Sequence, residues 1–263
     1  MQNAMYSALF GALSNEHRVN SIANNLANVN TTGYKRDVLA FKDTMVLFAH
    51  DHIMEPVANL RDKKFFPDPQ HIARTRIATA LTDFQQGGMK VTSAPLDLAI
   101  NGEGFFKVAS PDGEFYTRNG HFTVNEEGTV VTERGWPVLS EGGEITVPPG
   151  TKNIVVAEDG RVFADENLIG QVQVVTVDNL ANLEKQGSNL YRPRPGAEVA
   201  EVEIDPNRTW IAQGFLESAN VDAVYEMVNM IEAQRQFEAY QKVMQTSDAI
   251  DREANTKVGR QRG

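Results

Sequence analysis

The chain has 263 residues, 41 % of them apolar, enough for a substantial core and more than one compact unit. It contains no cysteine, which excludes disulfides, a thiolate nucleophile and a thiolate metal site. The net charge of −10 lies wholly in residues 41–217, since residues 1–40 carry +1 and residues 218–263 carry −1. An acidic middle argues against nucleic acid as a partner, and nearly neutral ends can pack against like chains without strong repulsion. No run reaches the roughly 18 apolar residues of a membrane span, so membrane insertion is not expected. The N-terminus lacks the basic leader and continuous apolar core of a secretory signal peptide.

From the start of the chain, Met5, Leu9, Ala12, Val19, Ala23 and Leu26 recur in steps of four and three, with Glu16 in the one polar slot. This is a heptad seam, which predicts one amphipathic helix that needs a helical partner. Asn30, Thr31 and Thr32 favour turns and Gly33 accepts a left-handed backbone, so the helix stops sharply before them. From Asp37 to about residue 75 the pattern loosens into an extended linker. Phe41, Val46, Leu47, Phe48 and Ile53 suggest a short helix there, ended by Pro56, Pro67 and Pro69. Lys63-Lys64-Phe65-Phe66 reads as aromatics packed on a neighbour in preference to a nucleic-acid or membrane contact.

From Ala73 to Phe215 the period becomes two. Leu96–Ile100, Phe105–Val108, Glu114–Arg118 and short runs around Phe122, Val130, Val138, Ile145, Val155, Val162, Val172–Val177 and Thr209–Ile211 are separated by Gly, Pro and Asn. That spacing predicts a β domain of short antiparallel strands. Pro111-Asp112-Gly113 marks a turn, and Asn119-Gly120 a tight hairpin. A second helix, capped by Ser218 or Asn220, runs through Val221, Val224, Val228, Ile231, Phe237, Tyr240, Met244 and Ile250, over roughly 50 Å. Its register slips once, where Arg235 occupies a seam position.

Reactive constellations are weak. Asn101-Gly102-Glu103-Gly104 and Glu141-Gly142-Gly143 precede no helix with a phosphate-binding pattern. His50-Asp51-His52 lacks further ligands, and His17, His71 and His121 are scattered. No Gly-x-Ser-x-Gly turn is present. Glu126-Glu127 reads as a solvated turn, and Asn30-Thr31-Thr32 and Asn207-Arg208-Thr209 fit a glycosylation pattern by letters only. The expectation is therefore a non-enzyme without cofactor or metal.

Ile22-Ala23-Asn24-Asn25-Leu26-Ala27-Asn28-Val29-Asn30-Thr31-Thr32-Gly33-Tyr34-Lys35 closely resembles the N-terminal motif of bacterial flagellar axial proteins, the group of rod, hook and hook-associated subunits. Leu98–Phe106, Tyr116–Phe122 and Gly214-Phe215-Leu216-Glu217 are similar to the β-domain motifs of rod and hook proteins. Glu217–Asp222 with Glu226-Met227 and Met230–Glu238 resembles the C-terminal motif, departing at Tyr240, where the family pattern carries Asn. The resemblance implies an α+β fold: residues 1–36 and 217–263 form a coiled-coil-like helical assembly domain around a β-rich domain at 76–216, with the linker at 37–75. It implies a structural subunit of the basal-body rod, nearer the proximal than the distal type in length. The distal rod or another hook-basal-body axial subunit is the alternative, and a non-flagellar secreted binding module a further one. The subunit would be exported uncleaved by the flagellar type III apparatus into the periplasm-spanning rod. Its terminal helices would be poorly ordered until they meet sister molecules and other rod or hook subunits. The expected assembly residues are Leu9, Val19, Ile22, Asn24, Asn25, Leu26, Asn28 and Gly33 at one end. At the other they are Asn220, Val221, Met227, Ile231, Arg235 and Phe237.

Overall fold

The computed structural model describes residues 2–47, 71–140, 142–203 and 208–260. Helix α1 spans Gln2–Ala27 and helix α2 spans Ala223–Arg260. Between them lies a β-rich body of antiparallel strands, as the alternation of residues 96–215 predicts. The chain divides into two compact units. One comprises residues 1–24, 38–81 and 224–263; the other comprises residues 25–37 and 82–223.

The stretch read as a linker differs from expectation. Strand β1, Asp37–Leu47, and strand β2, His71–Thr82, pair as a two-stranded sheet, and no helix forms through Phe41, Val46 and Leu47. A short apolar run fits either period, and here a partner some thirty residues away decides it. Phe48, the His50-Asp51-His52 triplet, Ile53, the three prolines and Lys63–Phe66 lie outside the described residues.

The larger unit is built on a six-stranded sheet. Its order is Leu183–Gly187, Leu190–Pro193, Gly113–Thr117, Phe105–Ser110, Val174–Val177, Glu201–Glu203. Successive side chains point to opposite faces, so adjacent aromatics part company. Phe106, Phe115 and Leu190 enter one core with Leu98, Phe122 and Ile145, while Phe105, Tyr116 and Tyr191 enter another with Val175 and Leu183. Edge-on ring contacts, Phe106 on Phe122 at 5.3 Å and Phe84 on Phe105 at 5.5 Å, tie each core to residues beyond the sheet. Strands Trp210–Gln213 and Phe215–Glu217 pair with Leu98–Asn101 and Met89–Val91, so the chain leaves this unit beside where it entered.

Pro111-Asp112 makes the expected turn, with Ser110 facing Gly113. Asn119-Gly120 does not make a hairpin. It is an irregular crossing in which a Cβ on Gly120 would lie 1.6 Å from the Leu98 carbonyl oxygen, so glycine is needed for close approach instead of for a reversed turn.

Candidate assembly surfaces

In the helical unit, α1 buries Ala8, Gly11, Ala12, Asn15 and Ile22, and Met5 and Leu9 are exposed. The covered stripe is thus rotated by about one residue, near 100°, from the seam read from the large apolar side chains. Small residues let backbones approach. A Cβ on Gly11 would lie 2.6 Å from the Tyr240 ring, so the residue that departs from the family pattern fits a notch made by glycine. The Asn15 amide donates to the Ala233 carbonyl, and Arg18 donates to the Gln236 side chain at 3.4 Å. Asn15 with Ala233 and Gly11 with Tyr240 set the two helices antiparallel.

On α2 a covered or half-covered line runs through Glu226, Met230, Ala233, Phe237, Tyr240, Met244 and Ser247 in steps of four and three, with Asn229 half-covered beside it. The slip read in the sequence is therefore two faces seen as one. Val224, Val228 and Ile231 form a second, outward stripe with Met227, which Arg235 terminates; all five are exposed. Of the remaining expected assembly residues, Ile22, Asn25 and Gly33 are buried. Val19, Leu26, Asn28, Asn220, Val221 and Phe237 are half-buried, and Leu9 and Asn24 are exposed.

In the larger unit, the segment that follows α1 is locked by a polar junction. Asn25, 2 % exposed, accepts from the Tyr34 hydroxyl at 3.1 Å and the Asp37 amide at 2.9 Å, and donates to the Asp37 carbonyl at 3.0 Å. One side chain thus closes the reversal from helix to strand. Gly33 has φ +66°, donates its amide to the Glu217 carbonyl at 2.7 Å, and has no room for a Cβ, which would lie 2.4 Å from the Arg118 backbone. Asn220 accepts from the Arg36 amide at 2.8 Å and donates to the Asp83 carbonyl at 2.8 Å. The Lys35 ammonium meets Glu217 Oε1 at 2.6 Å, and the Arg118 guanidinium meets Oε2 at 3.3 Å. The Gly87 amide also donates to Oε1, at 2.8 Å, and Lys35 donates to the Gln85 carbonyl at 2.7 Å. Burial pushes Lys35 and Arg118 below their ordinary pKa values, against the pull of Glu217. Glu217, 1 % exposed, has both oxygens engaged and ties Lys35, Gly87 and Arg118 together.

Residues 5–35, 99–164 and 212–257 match the families described as Flagella basal body rod protein, Flagellar hook protein FlgE/F/G D1 domain, and Flagellar basal body rod FlgEFG protein C-terminal. A Caulobacter vibrioides protein named flagellar basal-body rod protein FlgF is 36 % identical, covering 99 % of this chain and 99 % of its own. Proteins named flagellar basal-body rod protein FlgG are also similar. That of Borreliella burgdorferi is 34 % identical (94 % of this chain, 96 % of its own), and that of Bacillus subtilis 32 % (95 % and 97 %). The chain belongs to the flagellar basal-body rod protein family.

Its role is that of a structural rod subunit, and the family is not a class of enzymes. The matched blocks meet in the junction: the first ends on Lys35, the second contains Arg118, and the third begins five residues before Glu217. All three residues lie inside the motifs that carry the family resemblance. Their signal was ionisable residues set among glycine and apolar neighbours. The seam includes Ala12 but leaves out Gly11, Asn15 and Ala233, because glycine, a polar side chain and an isolated alanine carry little weight in an apolar pattern. No helix among the described residues is long and apolar enough to cross a membrane.

Proposed function

We propose that this rod subunit polymerises through its terminal helices, which pair as a coiled coil and build the wall of a tubular shaft together with sister copies and other rod or hook subunits. One observation carries this reading: the fully buried positions of α1 and α2 are mostly small or polar, while Leu9, Leu13, Val224 and Ile231 are all exposed. Exposed apolar stripes on both helices of one unit call for partners. The contacts are heterologous, so they propagate as an open helix instead of closing. The weak covered face also supports ends that stay loosely ordered until assembly and pass uncleaved through a type III export channel. Nearly complete mutual coverage with a relative of the same length supports the proximal type of rod subunit. Ile231→Asp places a charge on an exposed site, so the chain folds normally, is exported, and fails to enter the rod. Normal motility in that strain contradicts the proposal. An axial density map of isolated basal bodies tests the proximal position.

A further inference from the structure

Most of the outward apolar side chains of the two helices cluster in two patches at different heights, with Val243 and Ile250 standing singly farther along α2. On α1 the patch is Met5, Tyr6, Leu9 and Leu13. On α2 it is Val224, Met227, Val228 and Ile231, with Val224 72 % exposed. The antiparallel register of Asn15 with Ala233 and Gly11 with Tyr240 sets Leu9 level with the part of α2 just beyond Tyr240. At 1.5 Å per residue, Val228 then lies about 20 Å from Leu9 along the helix axis. The two patches of one chain are therefore displaced along the shared axis.

Charge selects what can cover them. Residues 2–15 contain no Asp, Glu, Lys, Arg or His, and within residues 223–231 the single such residue, Glu226, is buried. Farther along α2, Glu232, Arg235, Glu238 and Lys242 are all exposed. An apolar face laid on that stretch would desolvate charges without partners, whereas the two neutral patches can close on one another at no such cost.

We infer that the α1 patch of one copy docks on the α2 patch of the next copy, with the two copies staggered by about 20 Å along the helix axis. This rests on the assembly reading above and specifies which surface meets which. A contact between unlike patches leaves one of each free at the ends, so it repeats without closing. Each patch offers roughly 400 Å², and one contact then buries about 800 Å², below the ~1,200 Å² typical of a stable binary complex. A single contact is weak, and the lattice holds because contacts repeat.

The absence of cysteine makes the test direct. The full chain carrying Leu9→Cys is mixed, concentrated, with chains carrying Val224→Cys, Val228→Cys or Ile231→Cys, then oxidised to trap contacts within disulfide reach. Leu9→Cys alone, Val228→Cys alone and Leu9→Cys with Lys242→Cys serve as comparisons. The inference expects at least one mixed patch pair to exceed all three comparisons by about tenfold, because docking raises the local thiol concentration. If the copies associate by sedimentation but Leu9→Cys links to itself or to Lys242→Cys as efficiently, the patch pairing is overturned while assembly through the helices stands. If the chain does not self-associate and Ile231→Asp enters the rod normally, both fall.

Discussion

The two units of this protein spend their large side chains in opposite ways. In the larger unit Phe105, Phe106, Ile145 and Tyr191 are fully enclosed, and even its charged junction is sealed from water. On the two helices of the other unit the fully covered positions include Gly11, Ala12 and Ala233, while Leu9, Leu13, Val224 and Ile231 sit outside. Burying a Phe or Leu side chain contributes about 1.5–3 kcal/mol, and covering an alanine far less. The first unit thus carries its own core, and the proposed assembly is what would cover the second.

The contrast is easiest to break at Glu217. Glu217→Ala strands Lys35 and Arg118 in a buried site, and unfolding in urea should show a loss of about 5 kcal/mol or failure to fold. Replacing Lys35, Arg118 and Glu217 together by methionine removes every charge of the junction, leaves none stranded, and should recover much of that loss. Phe106→Ala empties part of the first core and should cost about 3–5 kcal/mol by the same measurement. Gly33→Ala combines a positive φ with a clash against Arg118, and should lower stability by about 1–3 kcal/mol.

A smaller effect follows pH. The Glu201 carboxyl gains from the Tyr116 hydroxyl at 2.6 Å and from Lys107 at 3.1 Å. Partial burial opposes ionisation, but these hydrogen bonds outweigh it and hold Glu201 below its ordinary 4.5. A depressed carboxyl stabilises the fold above its unfolded pKa, and that contribution fades as pH falls through the folded value. Denaturant midpoints measured from pH 6 down to 3 should therefore drop in a way that Glu201→Gln abolishes, by less than about 1 kcal/mol because the site is partly solvated. Smallest of all, Val228→Asp should leave the folding stability of the free chain within about 0.5 kcal/mol, since the side chain touches water in the unassembled protein.

The sequence carried the outline well where local chemistry decides. The stop of α1 at Ala27 follows from Asn30, Thr31, Thr32 and Gly33, and the strand expected at Phe105–Val108 forms within Phe105–Ser110. It carried less where a distant partner decides. The β1–β2 pairing joins segments separated by some thirty residues, and a run such as Phe41, Val46 and Leu47 does not reveal which period will win. Asn119-Gly120 has the letters of a hairpin, but its glycine answers to the Leu98 carbonyl, far away in sequence. On α2, an apolar pattern cannot distinguish the inward line through Phe237 and Tyr240 from the outward line through Val224 and Ile231, because both are apolar for different reasons. The Lys35–Glu217–Arg118 junction was invisible to charge counting because its members lie 182 and 99 positions apart.

The central claim is that the helical unit is unfinished in the free chain while the larger unit is complete. Amide hydrogen exchange on the dilute protein, before and after concentration into polymer, tests it most directly. Amides of Phe105–Ser110 and Tyr191 should be strongly protected in both states, and those of α1 and α2 should exchange rapidly when dilute and become protected on assembly. Equal, strong protection of both helices in the dilute chain would contradict the account.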